Sequence, residues 1–217
     1  MKDKGTEIIF ILDRSGSMSG LESDTIGGYN SLLKKQKATE GKVIVSTILF
    51  NSWSNVIHDR LELSKVPFLT EKEYTAGGCT ALLDAIGGAI KHIGDVHTYE
   101  REEDRPEHTL VIITTDGMEN SSRRYDYARV KMMIERAKEQ YGWEFLFLGA
   151  NIDAITVANR FGIDSDRTAN YLSDKKGTEL NYQIMSEEIK HVRMSKGISP
   201  DWKKRIDLDY QKRNKKG

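Results

Sequence analysis

Short runs of consecutive apolar residues alternate along the chain with longer segments in which apolar residues recur every three or four positions. The short runs, such as residues 7–12, have the length and composition of strands that are covered on both faces. The longer segments place their apolar residues on one face of a helix. The pattern predicts strands at 7–12, 42–50, 53–59, 108–114, 143–148 and 167–172, and helices at 21–39, 81–93, 125–141, 152–161 and 178–194.

Strands that alternate with helices are typical of an α/β fold with a mostly parallel sheet and helices on both faces. Asn51-Ser52 separates two neighbouring strand runs with a tight-turn sequence, so we expect the run at 53–59 to pair antiparallel. A chain of 217 residues is long enough for one sizeable core. We therefore predict a doubly wound, mostly parallel central sheet with one antiparallel edge strand.

Composition and charge divide the chain into two unequal parts. Hydrophobic residues make up 38% and charged residues 30%, which is typical of a globular protein, and the formal net charge is zero. Residues 196–217, however, hold eight basic and three acidic side chains, a net charge of +5. We predict a domain over residues 1–195 and a flexible basic tail over 196–217. Binding of nucleic acid through this tail is a lesser alternative.

The distribution of apolar residues also bears on location. No apolar run approaches the roughly 18 residues that a membrane-spanning helix needs, and the first residues lack the apolar segment of a signal peptide. We expect a cytoplasmic protein with no membrane association.

The single cysteine, Cys79, cannot form an internal disulfide or a thiolate zinc site by itself.

Three polar clusters fall at strand or helix ends that should share one edge of the sheet. Asp13-Arg14-Ser15-Gly16-Ser17 follows the first strand, Asp116-Gly117 follows the strand at 108–114, and Thr80 precedes a helix. Ligands bind outside the carboxyl ends of the strands in sheets of this type. We therefore predict one site formed by Asp13, Ser15, Ser17, Thr80 and Asp116.

These five side chains offer two carboxylates and three hydroxyls, without imidazole or thiolate. An all-oxygen set suits a hard cation, so we expect Mg²⁺ or Mn²⁺, with Ca²⁺ ranked behind them. Each cluster also has a purely structural explanation. The three hydroxyls could cap helices, and Asp116-Gly117 could form an ordinary turn. A common site explains all three clusters at once.

The same residues resemble the motifs of a known family, the von Willebrand factor type A (vWA) domain. Asp13-Arg14-Ser15-Gly16-Ser17 resembles its Asp-x-Ser-x-Ser signature, Gly77-Gly78-Cys79-Thr80-Ala81-Leu82 its second motif, and Ile113-Thr114-Thr115-Asp116-Gly117 its third. Asn120 continues the Asp-Gly-x-x-Asn form of bacterial members. The resemblance covers roughly residues 6–195 and favours a bacterial or phage protein of the intracellular type.

This resemblance implies a Rossmann-like fold with a metal-ion-dependent adhesion site (MIDAS). Ser15, Ser17 and Thr80 would bind the metal directly, and Asp13 and Asp116 would act mainly through water. The family's usual function is protein binding, in which an Asp or Glu of the partner completes the metal's coordination. We therefore expect a metal-dependent protein-binding module and not an enzyme.

Two alternatives to a simple binding module stay open. The first is a vWA subunit of an ATPase-linked or stress-signalling complex, which is a special case of protein binding. The second is a metal-dependent phosphohydrolase, which ranks lower because an Asp-x-Asp pair would need an aspartate where the chain has Ser15. The sequence also lacks the P-loop motif and a histidine pair at metal-ligand spacing.

Overall fold

The computed structural model of the chain describes residues 4–214. The strands are β1 (Thr6–Asp13), β2 (Val43–Phe50), β3 (Ser54–Glu62), β4 (His108–Thr115), β5 (Glu144–Ala150) and β6 (Thr168–Tyr171). The helices are α1 (Glu22–Lys37), α2 (Leu82–Tyr99), α3 (Tyr127–Tyr141), α4 (Ala154–Arg160), α5 (Lys175–Arg193) and α6 (Lys204–Asn214). None of the helices within these residues is long and apolar enough to cross a membrane.

The six strands form one sheet in the order β3-β2-β1-β4-β5-β6. Neighbouring strands pair parallel except at one edge, where β3 runs antiparallel to β2. This arrangement confirms the predicted fold class, including the antiparallel edge strand. The centre of the sheet is β1, which pairs with β2 on one side and β4 on the other, and the polar residues that follow β1 and β4 therefore leave the sheet side by side.

Each face of the sheet carries its own hydrophobic core, because successive side chains of a strand point to opposite faces. In β1, Ile8, Phe10 and Leu12 join the core beneath α1, α5 and α6. Ile9 and Ile11 join the core beneath α2, α3 and α4. Both faces are covered, which explains why the central strands read as continuous apolar runs rather than alternating ones.

The helix α2 is longer than the predicted segment at 81–93, since it continues to Tyr99. His97 in the added turn is buried, and its Nε2 lies 2.6 Å from Oε2 of Glu7, which is itself inaccessible to solvent. The Glu7 carboxylate also accepts a hydrogen bond from Arg60 Nε at 2.8 Å. A buried charge at the start of β1 is thus paired with side chains from α2 and β3.

The expectation of a flexible tail over residues 196–217 does not hold for the part that the structure describes. Residues 204–214 form α6, and Ile198, Trp202 and Ile206 are buried against the core. The indole Nε1 of Trp202 donates a hydrogen bond to the carbonyl oxygen of Asp166 at 2.6 Å. Ile198 and Trp202 precede α6 and Ile206 lies in its first turn, so the segment is packed both before and within the helix. Residues 215–217 lie outside the described residues.

Replacing Trp202 tests this packing. We expect Trp202→Ala to lower the free energy of unfolding by roughly 3 kcal/mol, because a large side chain leaves a cavity and the Asp166 carbonyl loses its donor. Chemical denaturation followed by circular dichroism measures the change. Trp53→Ala is the matched control, since Trp53 is 66% exposed, and it should change stability by less than about 0.5 kcal/mol. Equal effects of the two substitutions would contradict the packed C-terminal segment.

Candidate metal centre

The centre is built around Asp13, the last residue of β1. The parallel register of β1 and β4 pairs Leu12 with Thr114, so Asp13 lies beside Thr115 at the ends of the two strands. Thr115 Oγ1 donates a hydrogen bond to Asp13 Oδ2 at 2.5 Å, and the backbone N–H of Ser15 donates to Asp13 Oδ1 at 2.6 Å. Both carboxylate oxygens of Asp13 are therefore held by neutral donors.

The three predicted hydroxyls come together beside this carboxylate. Ser15 Oγ lies 3.1 Å from Ser17 Oγ, and Ser17 Oγ donates to Asp116 Oδ1 at 2.5 Å. A methyl group placed on Gly117 would lie 2.8 Å from Thr80 Oγ1, 3.1 Å from Ser17 Oγ and 3.5 Å from Ser15 Oγ. The structure thus brings all five predicted residues into one cluster, with the hydroxyls converging on a single point.

Backbone contacts hold the loop of Thr80 against the other two loops. The N–H of Thr80 donates to Asn120 Oδ1 at 2.8 Å, and the N–H of Asn120 donates back to the carbonyl oxygen of Thr80 at 3.0 Å. The N–H of Gly16 donates to the carbonyl oxygen of Gly78 at 2.9 Å. Gly78 has φ +82°, a conformation that glycine adopts without strain. Each of the three loops is thereby fixed to a neighbour.

The hydroxyls are not used as helix caps. The N-cap positions of α1 and α2 are Leu21 and Ala81, and neither residue's side chain caps its helix. In the first turn of α2, the N–H groups of Leu83 and Asp84 donate to Glu119 Oε2 and Ser122 Oγ. Ser15 precedes a short 3₁₀ turn without capping it. The turn after β4 is closed by Thr115, whose Oγ1 accepts a hydrogen bond from the N–H of Gly117 at 3.2 Å, and not by the carboxylate of Asp116. The structural alternatives therefore do not account for these side chains.

Burial shifts the ionisation of the central carboxyl group. Asp13 is 1% exposed, and loss of solvation raises its pKa from 3.8 to about 6. The nearby Asp116 carboxylate adds to the rise, while hydrogen bonds from Thr115 and Ser15 oppose it. No Lys, Arg or His side chain within residues 4–214 forms an ion pair with either aspartate. Two neighbouring carboxylates are therefore left without a compensating positive charge from the described chain.

The donor set fits a hard divalent cation. Two carboxylates and three hydroxyls supply oxygen ligands, and the three hydroxyl oxygens lie together around Gly117. Among the described residues, no three His, Cys, Asp or Glu side chains gather as a metal-binding group. The candidate thus depends on the hydroxyls of Ser15, Ser17 and Thr80, which distinguishes it from a zinc site.

Two contacts of the centre were not predicted from the sequence. Ser173 Oγ donates a hydrogen bond to Asp116 Oδ2 at 3.1 Å, and the hydroxyl of Tyr74 donates to the carbonyl oxygen of Asp13. Ser173 follows β6 and so lies at the same sheet edge as the other loops, which is the one signal that could have indicated it. Tyr74 precedes the second motif, and no sequence pattern indicated its contact with Asp13.

Comparisons with known proteins identify the fold. No family model and no curated protein matches the sequence. A von Willebrand factor type A protein from Catenulispora acidiphila aligns over 85% of this chain and 42% of its own, with 15% identity and a TM-score of 0.59. The vWF domain of the type V pili tip protein Mfa5 from Porphyromonas gingivalis aligns over 87% and 96%, with 11% identity and a TM-score of 0.59.

A third similar structure is the manganese-loaded TRAP protein of Plasmodium vivax, which aligns over 82% of this chain and 72% of its own. The identity is 19% and the TM-score 0.55. These likenesses show that the chain has the vWA fold. The chain spans less than half of the length of the Catenulispora acidiphila protein.

The raised pKa of Asp13 predicts a specific pH dependence of stability. Above pH 6 the carboxyl group is ionised in both folded and unfolded chains, so the folded state is destabilised by the full free energy of burying the charge. Below pH 6 the folded state takes up the proton first, so the stability contributed by this group increases as the pH falls. In EDTA, we expect wild type to gain roughly 1–2 kcal/mol relative to Asp13→Asn between pH 7.5 and pH 5.

Denaturant titrations of both proteins at the two pH values measure this difference. Carboxyl groups away from the site titrate equally in the two proteins, so the variant isolates the contribution of Asp13 and of its interaction with Asp116. Parallel pH profiles of wild type and Asp13→Asn would show that Asp13 has an ordinary pKa and would contradict the assignment.

Proposed function

We propose that this vWA-fold chain is a metal-dependent protein-binding module whose cation is completed by an Asp or Glu of the partner. The observation that carries the proposal is the convergence of the Ser15, Ser17 and Thr80 hydroxyls beside two carboxylates that form no ion pair within residues 4–214. Mg²⁺ is the expected cation, with Mn²⁺ as the alternative. A structural neighbour described as manganese-loaded supports a divalent ion of this class.

The charge of the donor set supports an acidic partner. Two carboxylates can at most balance a divalent ion, and three neutral hydroxyls do not reduce its charge further. A bound cation supplies a coordination position that favours a further anionic oxygen ligand. Ser15, Ser17 and Thr80 would contact the ion, and Asp13 and Asp116 would orient those hydroxyls and any metal-bound water.

Two arginines lie near the first turn of α2, the helix that follows Thr80. Arg123 and Arg124 are exposed, and neither forms an ion pair within residues 4–214. Their backbone N–H groups each donate to the carboxylate of Asp84 at 2.9 Å, which holds them at the first turn of α2. An acidic segment that reached the metal could therefore also meet two guanidinium groups. This arrangement supports a partner with more than one acidic residue.

We propose that the chain has no enzymatic role. We also propose a cytoplasmic location, which the sequence alone supports. Imidazole is the commonest general base in enzymes, but each of the five histidines has a contact away from the five site residues. These contacts are His58 with Thr47, His92 with Asp59, His97 with Glu7, His108 with Ser195, and His191 with Glu188.

The substitution Gly117→Ala tests the site without removing a ligand. The added methyl group would lie 2.8 Å from Thr80 Oγ1 and 3.1 Å from Ser17 Oγ, too close for the hydroxyls to keep their positions. We expect isothermal titration calorimetry to show one Mg²⁺ or Mn²⁺ per wild-type chain and at least a tenfold loss of affinity in the variant, in line with other changes around metal ligands.

Gly88→Ala is the matched control, because a methyl group there would meet no atom within 4 Å. It should leave metal affinity unchanged. If Gly117→Ala bound the cation as tightly as wild type, the hydroxyl cluster would not be the metal site.

Protein binding is then tested by affinity capture in Mg²⁺ and in EDTA. A genuine partner is retained only with Mg²⁺, is lost with Gly117→Ala, and stops binding when its own acidic residue is replaced by an amide.

A further inference from the structure

Ser173 connects the candidate metal centre to the C-terminal part of the chain. It lies between β6, which ends at Tyr171, and α5, which begins at Lys175. Its hydroxyl donates to Asp116 Oδ2 at 3.1 Å, while Ser17 donates to Asp116 Oδ1 at 2.5 Å. The two oxygens of the Asp116 carboxylate are therefore held by hydroxyls from two different loops.

The position of Ser173 is determined by its neighbour, Asp174. One oxygen of the Asp174 carboxylate caps α5 by accepting a hydrogen bond from the N–H of Gly177 at 2.8 Å. The backbone N–H of Asp174 donates to the carbonyl oxygen of Leu172 at 2.8 Å. A methyl group on Gly177 would lie only 2.0 Å from that same carbonyl oxygen, so the loop lies tightly against the start of α5.

The last turn of α6 secures this loop. Arg213 forms an ion pair with the second oxygen of Asp174, and its Nε donates to Asp209 Oδ2 at 2.8 Å. Lys176 in the first turn of α5 pairs with Asp209 Oδ1 at 2.7 Å. Two basic and two acidic side chains thus join the end of α6 to the start of α5. A continuous set of contacts leads from Arg213 through Asp174 and Ser173 to the metal centre.

We propose that Ser173 is a positioning residue of the metal centre, and that α6 sets its place through the Arg213–Asp174 ion pair. This inference rests on the proposed metal-binding function. A carboxylate held at only one oxygen can rotate away from the orientation in which it accepts from Ser17. The Ser173 hydroxyl removes that freedom, as outer hydrogen-bond partners do for metal ligands in general. The C-terminal helix thereby contributes to metal affinity without touching the ion.

The test is calorimetric titration of Mg²⁺ into chelator-stripped wild type, Ser173→Ala, Ser173→Thr and Arg213→Gln, each with its thermal midpoint. We expect Ser173→Ala to weaken Mg²⁺ binding about tenfold, and Ser173→Thr to restore it, since threonine retains the hydroxyl. Arg213→Gln should weaken binding a few-fold. Arg205→Gln is the matched control on α6, because Arg205 pairs with Glu187 and not with Asp174, and its affinity should equal that of wild type.

The outcomes separate the two proposals. If wild type binds Mg²⁺ and Ser173→Ala binds it equally well, the positioning role is overturned while the metal site stands. If Ser173→Ala and Ser173→Thr lose affinity and thermal stability together, the effect is one of folding, and the role is likewise overturned. Equal affinities of Arg213→Gln and wild type would overturn the contribution of α6. If wild type binds no metal, the proposed function fails, and this inference fails with it.

Discussion

The parallel pairing of β1 with β4 is the constraint on which the candidate site depends. It places Asp13 beside Thr115, and the hydrogen bond between them joins the ends of the two central strands. The loops that carry Ser15, Ser17 and Asp116 start from these two ends. A shift of one residue in this register would point Asp13 to the opposite face of the sheet. The two hydrophobic cores oppose such a shift, because it would exchange every inward and outward side chain of β1.

The two ends of β1 carry buried carboxylates in contrasting surroundings. Glu7 lies against His97 and against Arg60, whose guanidinium group compensates the charge of the carboxylate. Asp13 has hydrogen bonds from Thr115 and Ser15 but no ion pair within residues 4–214, and Asp116 lies nearby. Burying a charge without compensation is costly. A bound divalent cation would supply at Asp13 the compensation that Arg60 supplies at Glu7.

Besides the bond from Ser17 to Asp116, the loops of the centre are joined by hydrogen bonds of the backbone and of the Asn120 side chain. Asn120 is bonded to Thr80 in both directions, and Gly16 is bonded to Gly78. These contacts hold the three loops in place around the hydroxyls, which is the preorganisation that a metal site requires. Ser173 and α6 extend the same arrangement to the C-terminal segment, where an ion pair on the surface fixes a loop that contacts Asp116.

The sequence by itself determined the elements and the five-residue cluster, because both follow from local patterns. Apolar periodicity located the strands of the sheet, and the motifs around Asp13, Thr80 and Asp116 stand at strand or helix ends that the α/β order brings to one edge. Only the tertiary structure decided the role of residues 196–214 and the contact of Ser173. Trp202 and Ile206 stand in a strongly basic segment, and their burial depends on the surfaces of β6 and α5 that cover them. Ser173 is a single serine whose partner is 57 positions away. Contacts of this kind depend on how distant elements pack together, and no local pattern records that.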